Sequence, residues 1–112
     1  MIQAPVSGTD LAAKLFRSLS DPVRLAILLE LLEGERRVTD LVELTDRSQP
    51  TVSEHLACLR GCGLVEMRPE GRQSFYALAS PEVVDVLLAA QKLLAANGDK
   101  VQLCPAHLEP PP

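Results

Sequence analysis

The stretch Ser48-Gln49-Pro50-Thr51-Val52-Ser53-Glu54-His55-Leu56-Ala57-Cys58-Leu59-Arg60-Gly61 decides the fold. Ser48 can cap a helix running to about Gly61, and Pro50 falls in its first turn, where a missing N–H costs little. Val52, Leu56 and Leu59 recur at helical spacing and supply one apolar face. Just upstream, Thr39 can cap a short helix through about Thr45, with Leu41 and Leu44 pointing inward. Asp46-Arg47 leaves only a tight link between the two. Such a pair predicts a helix-turn-helix, although ordinary stacked helices give the same spacing. The residues C-terminal to Gly61 discriminate. Residues 64–68 and 73–78 are short alternating runs separated by Pro69-Glu70-Gly71-Arg72, the pattern of a β-hairpin with a Gly-containing turn. The predicted class is therefore α+β, mainly α: a winged helix-turn-helix with a two-stranded β-hairpin wing.

Working outward, residues 1–8 read as an irregular lead-in. Leu11, Leu15, Phe16 and Leu19 place a helix over about 10–19. Asp21-Pro22 restarts the chain as cap and first turn of the next helix, whose stripe is Val23, Ile27, Leu28 and Leu31, stopped by Gly34. Pro81 opens a last helix to about Ala96, ended by Asn97-Gly98. Eleven of its sixteen residues are Val, Leu or Ala and wrap around more than one face. Packing against its twin across a two-fold axis accounts for this better than exposure on a monomer, so a homodimer is expected, paired through this helix and residues near 11–19. Residues 1–98 then form a DNA-binding and dimerisation domain, and residues 99–112 an extended tail.

The chain has 112 residues, 46% hydrophobic and 23% charged, which fits one globular domain and is too apolar for disorder. Aromatics are 3%, too few for a base-stacking single-strand binder. No long apolar run or leader-like N-terminus stands out, so no membrane span and a cytoplasmic location are expected. Three cysteines, an odd number, argue against a disulfide framework. Net charge is −4, yet residues 47–72 carry four arginines against three glutamates, leaving −5 for the rest. The supposed DNA face is the least acidic part.

Ser48, Gln49, Thr51, Ser53 and His55 can donate to phosphates or base edges from a positive helix N-terminus, and Arg72 at the hairpin tip can reach a phosphate or the minor groove. A solvated polar helix face has the same composition, and Glu54 weakens the electrostatic case. Cys58 and Cys62 are four apart on a helix, so both thiols leave one face with Cβ atoms about 6 Å apart. Two sulfurs so placed can swing onto one soft ion. Cys104 can complete a three-thiolate set suited to Cd(II), Pb(II), Hg(II) or As(III), and His107 would be a fourth ligand for tetrahedral Zn(II). Small apolar filler and thiol oxidation are the competing readings of these cysteines. No motif pairs a nucleophile with a base, so an enzyme is not expected.

Ser20-Asp21-Pro22-Val23-Arg24, the run from Ser48 to Leu56, and Glu70-Gly71-Arg72-Gln73 resemble the ArsR/SmtB family of winged-helix, metal-responsive repressors over about residues 10–96. Cys58-Leu59-Arg60-Gly61-Cys62-Gly63 looks like its cadmium/lead-sensing branch. There two recognition-helix cysteines and one tail cysteine bind the metal, and Cys58, Cys62 and Cys104 match in turn. The resemblance implies a repressor that holds double-stranded operator DNA when metal-free and leaves it on binding Cd(II) or Pb(II), with Hg(II) and As(III) also compatible. A persulfide or redox switch on the same thiols is the alternative. Two other family sites are absent: Arg37-Val38-Thr39 stands where a Cys-x-Cys precedes Asp-Leu, and residues 81–96 offer Glu82 and Asp85 but no His.

Overall fold

The computed structural model describes residues 8–103. In chain order the elements are α1 (Gly8–Leu19), α2 (Pro22–Leu31), β1 (Arg36–Arg37), α3 (Val38–Thr45), α4 (Gln49–Gly61), β2 (Val65–Glu70), β3 (Gln73–Leu78) and α5 (Pro81–Leu103). Helices α3 and α4 with the β2–β3 hairpin form the expected winged helix-turn-helix.

Local chemistry sets the boundaries. The Asp21 carboxylate accepts from the Arg24 backbone N–H at 2.9 Å, capping α2, with Pro22 in its first turn. Asp46 adopts left-handed backbone (φ 56°) and its N–H donates to Val42 O, which ends α3 and leaves one short turn before Ser48. Ser48 then accepts from Thr51 N–H and starts α4, as its sequence predicts. From α4, Val52, Leu56 and Leu59 are fully buried and meet Ile27, Leu28 and Leu31 of α2, Leu41 of α3, and Val83 and Leu87 of α5.

Four expectations need correction. The cap of α3 is Arg37, not Thr39: the Asp40 carboxylate reaches back to the Arg37 N–H at 2.9 Å, so the helix opens at Val38. Arg36 and Arg37 also form a third strand, pairing with Tyr76 and Phe75 to give the antiparallel order β1-β3-β2. Two residues are too few to show alternation in sequence. The hairpin turn is only Gly71-Arg72, because Pro69 and Glu70 pair with Ser74 and Gln73. Gly71 takes φ 63° there, and Pro69 is tolerated because β2 is an edge strand. Finally, Asn97 (φ −127°, ψ 15°) kinks α5 rather than ending it, and helix resumes to Leu103. Residues 104–112, with Cys104 and His107, lie outside the described residues.

The surface of α1 and α5 is conspicuously apolar. Leu11 and Phe16 are 58% and 63% exposed, and Leu93 and Leu94 are 58% and 52% exposed. Leu87 is different: placed on the pairing helix from sequence, it is 2% exposed and belongs to the protomer core.

The Asp21 cap sets an acid limit on stability. The Arg24 N–H, then the nearby His55 and Arg24 charges, hold its carboxyl below the usual range. A depressed carboxyl contributes stability above its unfolded pKa and loses it as pH falls through the folded value. Asp21→Ala should cost about 0.5–2 kcal/mol at pH 7, and less below about pH 3. Urea unfolding at both pH values checks this, and equal stability of the two proteins at pH 7 contradicts it.

Candidate DNA interface and thiol site

Helix α4 turns about 100° per residue, so its buried stripe fixes where every other side chain faces. Gln49 and Ser53 share one flank and are exposed. Gln49 lines a groove with Arg37, Thr39, Arg72, Gln73 and Ser74, bringing the start of the second helix, the start of α3 and the wing tip to one surface. Thus Gln49 and Arg72, 23 positions apart, meet on one groove, and Ser53 is exposed one turn further along the Gln49 flank of α4.

The other sequence candidates divide. Ser48 is exposed, but its hydroxyl is engaged in capping: it accepts from Thr51 N–H at 3.3 Å and donates to Thr51 Oγ1 at 3.0 Å. His55 points elsewhere. It lies about 200° around the helix from Ser53, is 21% exposed, and places Nε2 3.9 Å from Asp21 Oδ2 at the α1–α2 corner. It braces α4 rather than joining the Gln49 groove. Arg37 and Thr39 are groove residues that the sequence does not mark as DNA contacts. Their only signal is proximity to the start of the first helix of the motif.

Charge is also redistributed. Arg68, one of four arginines counted toward the DNA face, donates to Glu35 at 2.8 and 3.1 Å, pairs with Glu70, and sits 4.9 Å over the Phe75 ring. These carboxylates raise the Arg68 pKa, and its hydrogen bonds hold the Glu35 carboxyl down. Arg37 pairs with Asp40 at 3.2 Å, which lowers the Asp40 pKa. Arg47, in the turn of the motif, and Arg72, at the wing tip, are exposed and form no ion pair among the described residues.

Cys58 and Cys62 lie one turn apart on the flank that carries His55, and both are free and exposed. Cys62 closes the helix, its N–H donating to Cys58 O at 3.1 Å. Its Sγ lies 3.4 Å from Ser18 Oγ of α1. Neither thiol fills the protomer core, so the filler reading fails here. Among the described residues no cluster of three or more Cys, His, Asp or Glu is close enough to hold an ion. The pair supplies two soft donors on one face, which fits a thiophilic ion only if a third donor comes from elsewhere.

A two-helix motif, a wing and a polar groove spanning both define a winged helix-turn-helix protein of the DNA-binding kind. Residues 21–67 match the model of the bacterial regulatory protein, arsR family. A probable mercury resistance operon repressor of Streptomyces lividans is 39% identical over 102 residues, covering 91% of this chain and 82% of that protein. The HTH-type transcriptional regulator CmtR of Mycobacterium tuberculosis is 40% identical, covering 81% and 88%. Among solved structures, M. tuberculosis Rv0081 superposes with TM-score 0.78 at 32% identity, covering 88% of this chain and 99% of that one. The homodimeric winged helix-turn-helix domain of Mb0332 from Mycobacterium bovis gives 0.72 at 30% identity, covering 87% and 91%. The chain belongs to the ArsR/SmtB family of bacterial regulatory proteins.

The groove makes two side chains separable on DNA. Arg72→Gln should weaken binding to duplexes of any sequence and flatten the salt dependence by about one phosphate contact. Gln49→Ala should lose more on the operator than on random duplex. Fluorescence anisotropy across a salt series reads both, and equal losses on the two DNAs would remove Gln49 from base reading.

Proposed function

We propose that this protein is a metal-responsive transcriptional repressor. As a homodimer it holds operator DNA in the metal-free state and is released by a thiophilic ion bound through Cys58, Cys62 and Cys104. One observation carries the reading: two exposed thiols stand one turn apart at the end of the same helix that presents Gln49 to the groove beside the wing. An ion held there acts directly on the position of the reading helix. The relative named as a probable mercury resistance operon repressor agrees with metal-linked regulation. Cd(II) or Pb(II) is the proposed effector, with Hg(II) and As(III) as the other ions suited to three thiolates.

The chain's own residues account for the steps. Cys58 and Cys62 must lose their protons to ligate, so ion affinity falls as pH is lowered. Cys104, which immediately follows the last residue of α5, ties the tail to the recognition helix. With α4 so tied, the two reading helices of a dimer no longer meet two half-sites about one DNA turn apart. Linkage requires the ion to weaken DNA binding by the factor by which DNA weakens ion binding, commonly about 1–3 kcal/mol.

The test is an ultraviolet thiolate-to-metal charge-transfer titration of the reduced protein with each ion, with and without operator DNA. Cys58→Ser should still bind DNA and ignore the ion. Release of DNA from Cys58→Ser at the wild-type Cd(II) or Pb(II) concentration sinks the reading. Release by oxidant or persulfide, with no response to any ion, reassigns the thiols to redox sensing.

The homodimer rests on the exposed apolar faces of α1 and α5 and on the homodimeric Mb0332 relative. Leu94→Glu should give monomers and weaken DNA binding, whereas Leu87→Glu should unfold the protomer because Leu87 is core. Sedimentation and circular dichroism separate the two, and a Leu94→Glu protein that stays dimeric rejects this pairing surface.

A further inference from the structure

The thiol site is wired to helix α1 through one hydroxyl. Ser18, in the last turn of α1, donates to Lys14 O at 3.2 Å and also lies 3.4 Å from Cys62 Sγ. Its own carbonyl is gripped by Arg24 Nε at 2.8 Å, so the end of α1 is anchored to α2. Lys14, Leu15 and Ser18 share an open hollow of about 290 Å³ with Gly61 and Cys62 at the end of α4. Two turns away, His55 touches Asp21 at the same α1–α2 corner. Helix α4 thus rests on this corner at two polar points seven residues apart, and the thiol pair begins between them. The same helix α1 carries exposed Leu11 and Phe16 on the apolar surface assigned to pairing.

We propose that Ser18 is a positioning residue of the thiol site, its hydroxyl linking the Cys62 sulfur to α1 so that ion capture is transmitted to the pairing surface. The inference rests on the metal-sensing reading above. A hydroxyl has one proton to donate, and in the metal-free protein the Lys14 carbonyl takes it. A metal-bound sulfur is anionic and a stronger acceptor than a neutral carbonyl, so the proton turns toward Sγ. Hydrogen bonds from outer groups to a ligand atom fix its orientation and tune its hold on the ion. Here the donor sits on a different helix from the ligand, which makes the bond a mechanical link. Releasing the Lys14 carbonyl and pulling on Cys62 shifts the end of α1 against the end of α4.

Ser18→Ala removes the link and Ser18→Thr keeps the hydroxyl. In the reduced full-length protein, Ser18→Ala should bind operator DNA as the unsubstituted protein does and show full thiolate-to-Cd(II) absorption. Saturating Cd(II) should then weaken its DNA binding by a factor about threefold to tenfold smaller than in the unsubstituted protein. Ser18→Thr should recover most of that factor. A metal-free readout stands beside it: in a Cys58→Ser, Cys104→Ser background, the Raman S–H stretching band of Cys62 should move when Ser18→Ala is added. An unchanged Cd(II) effect on DNA, or an S–H band that does not move, overturns the assignment while leaving the metal-sensing reading intact. If the unsubstituted protein neither binds Cd(II) through thiolates nor releases DNA, the metal-sensing reading fails and this inference fails with it.

Discussion

The burial of Val52, Leu56 and Leu59 is the constraint on which the rest of the structure depends. All three are fully inaccessible and pack against Ile27, Leu28 and Leu41. Their burial fixes the rotation of α4 about its axis, and each is a large side chain whose exposure would cost on the order of 1.5–3 kcal/mol. Once that rotation is fixed, Gln49 must face the wing groove, with Ser53 on the same flank. His55 and Cys62 must then face the α1–α2 corner, while Cys58 stays exposed on the same flank. The residues proposed for DNA reading and for ion capture therefore occupy different flanks of one rigid element. Under the proposed function, neither event moves α4 without the other registering it.

The wing is held by a different kind of force. It has few buried side chains of its own, and its strands are held chiefly by backbone pairing from Val65↔Leu78 to Glu70↔Gln73. Arg68 adds a tether between the wing and the link from α2 to β1, reaching Glu35 while lying over Phe75. Isolated surface pairs contribute little, but a shared guanidinium with two carboxylates and a ring orders one side chain for several contacts. The consequence is geometric: Arg72 is presented at a defined distance from Gln49, even though the two belong to separate elements.

How much of this is legible in the sequence depends on the range of the interaction. Caps and cores are local or periodic, so Asp21, Ser48 and the stripe of α4 can be read directly, as can the hairpin around Gly71. Strand β1 cannot, because Arg36 and Arg37 become a strand only by pairing with Tyr76 and Phe75 some forty residues away. The cap of α3 escapes for a related reason: Thr39 has the better intrinsic preference, but Asp40 reaches back to Arg37 and wins. His55 looks like a base reader on composition alone. Only the packing of α4 on α2 turns it toward Asp21. The thiol pair is fully readable from its i, i+4 spacing, whereas its neighbour Ser18 is not, being 44 positions from Cys62.

Charge accounting supports the proposed pairing of two copies. With a net charge of −4, and with Arg68 and Arg37 neutralised by Glu35, Glu70 and Asp40, each protomer brings few unpaired cations to a groove. Each phosphate contact contributes a salt-dependent increment, so a single protomer with so few of them holds duplex DNA weakly. Joining two protomers turns the second contact into an intramolecular event and raises affinity without any new residue. That gain exists only while both reading helices fit their half-sites together. A small shift of α4 against α1, too small to damage either groove, then suffices to remove it. Weak single-site binding is thus what would make the proposed switch at the end of one helix effective, since a strongly basic protomer would remain on DNA whatever its thiols held.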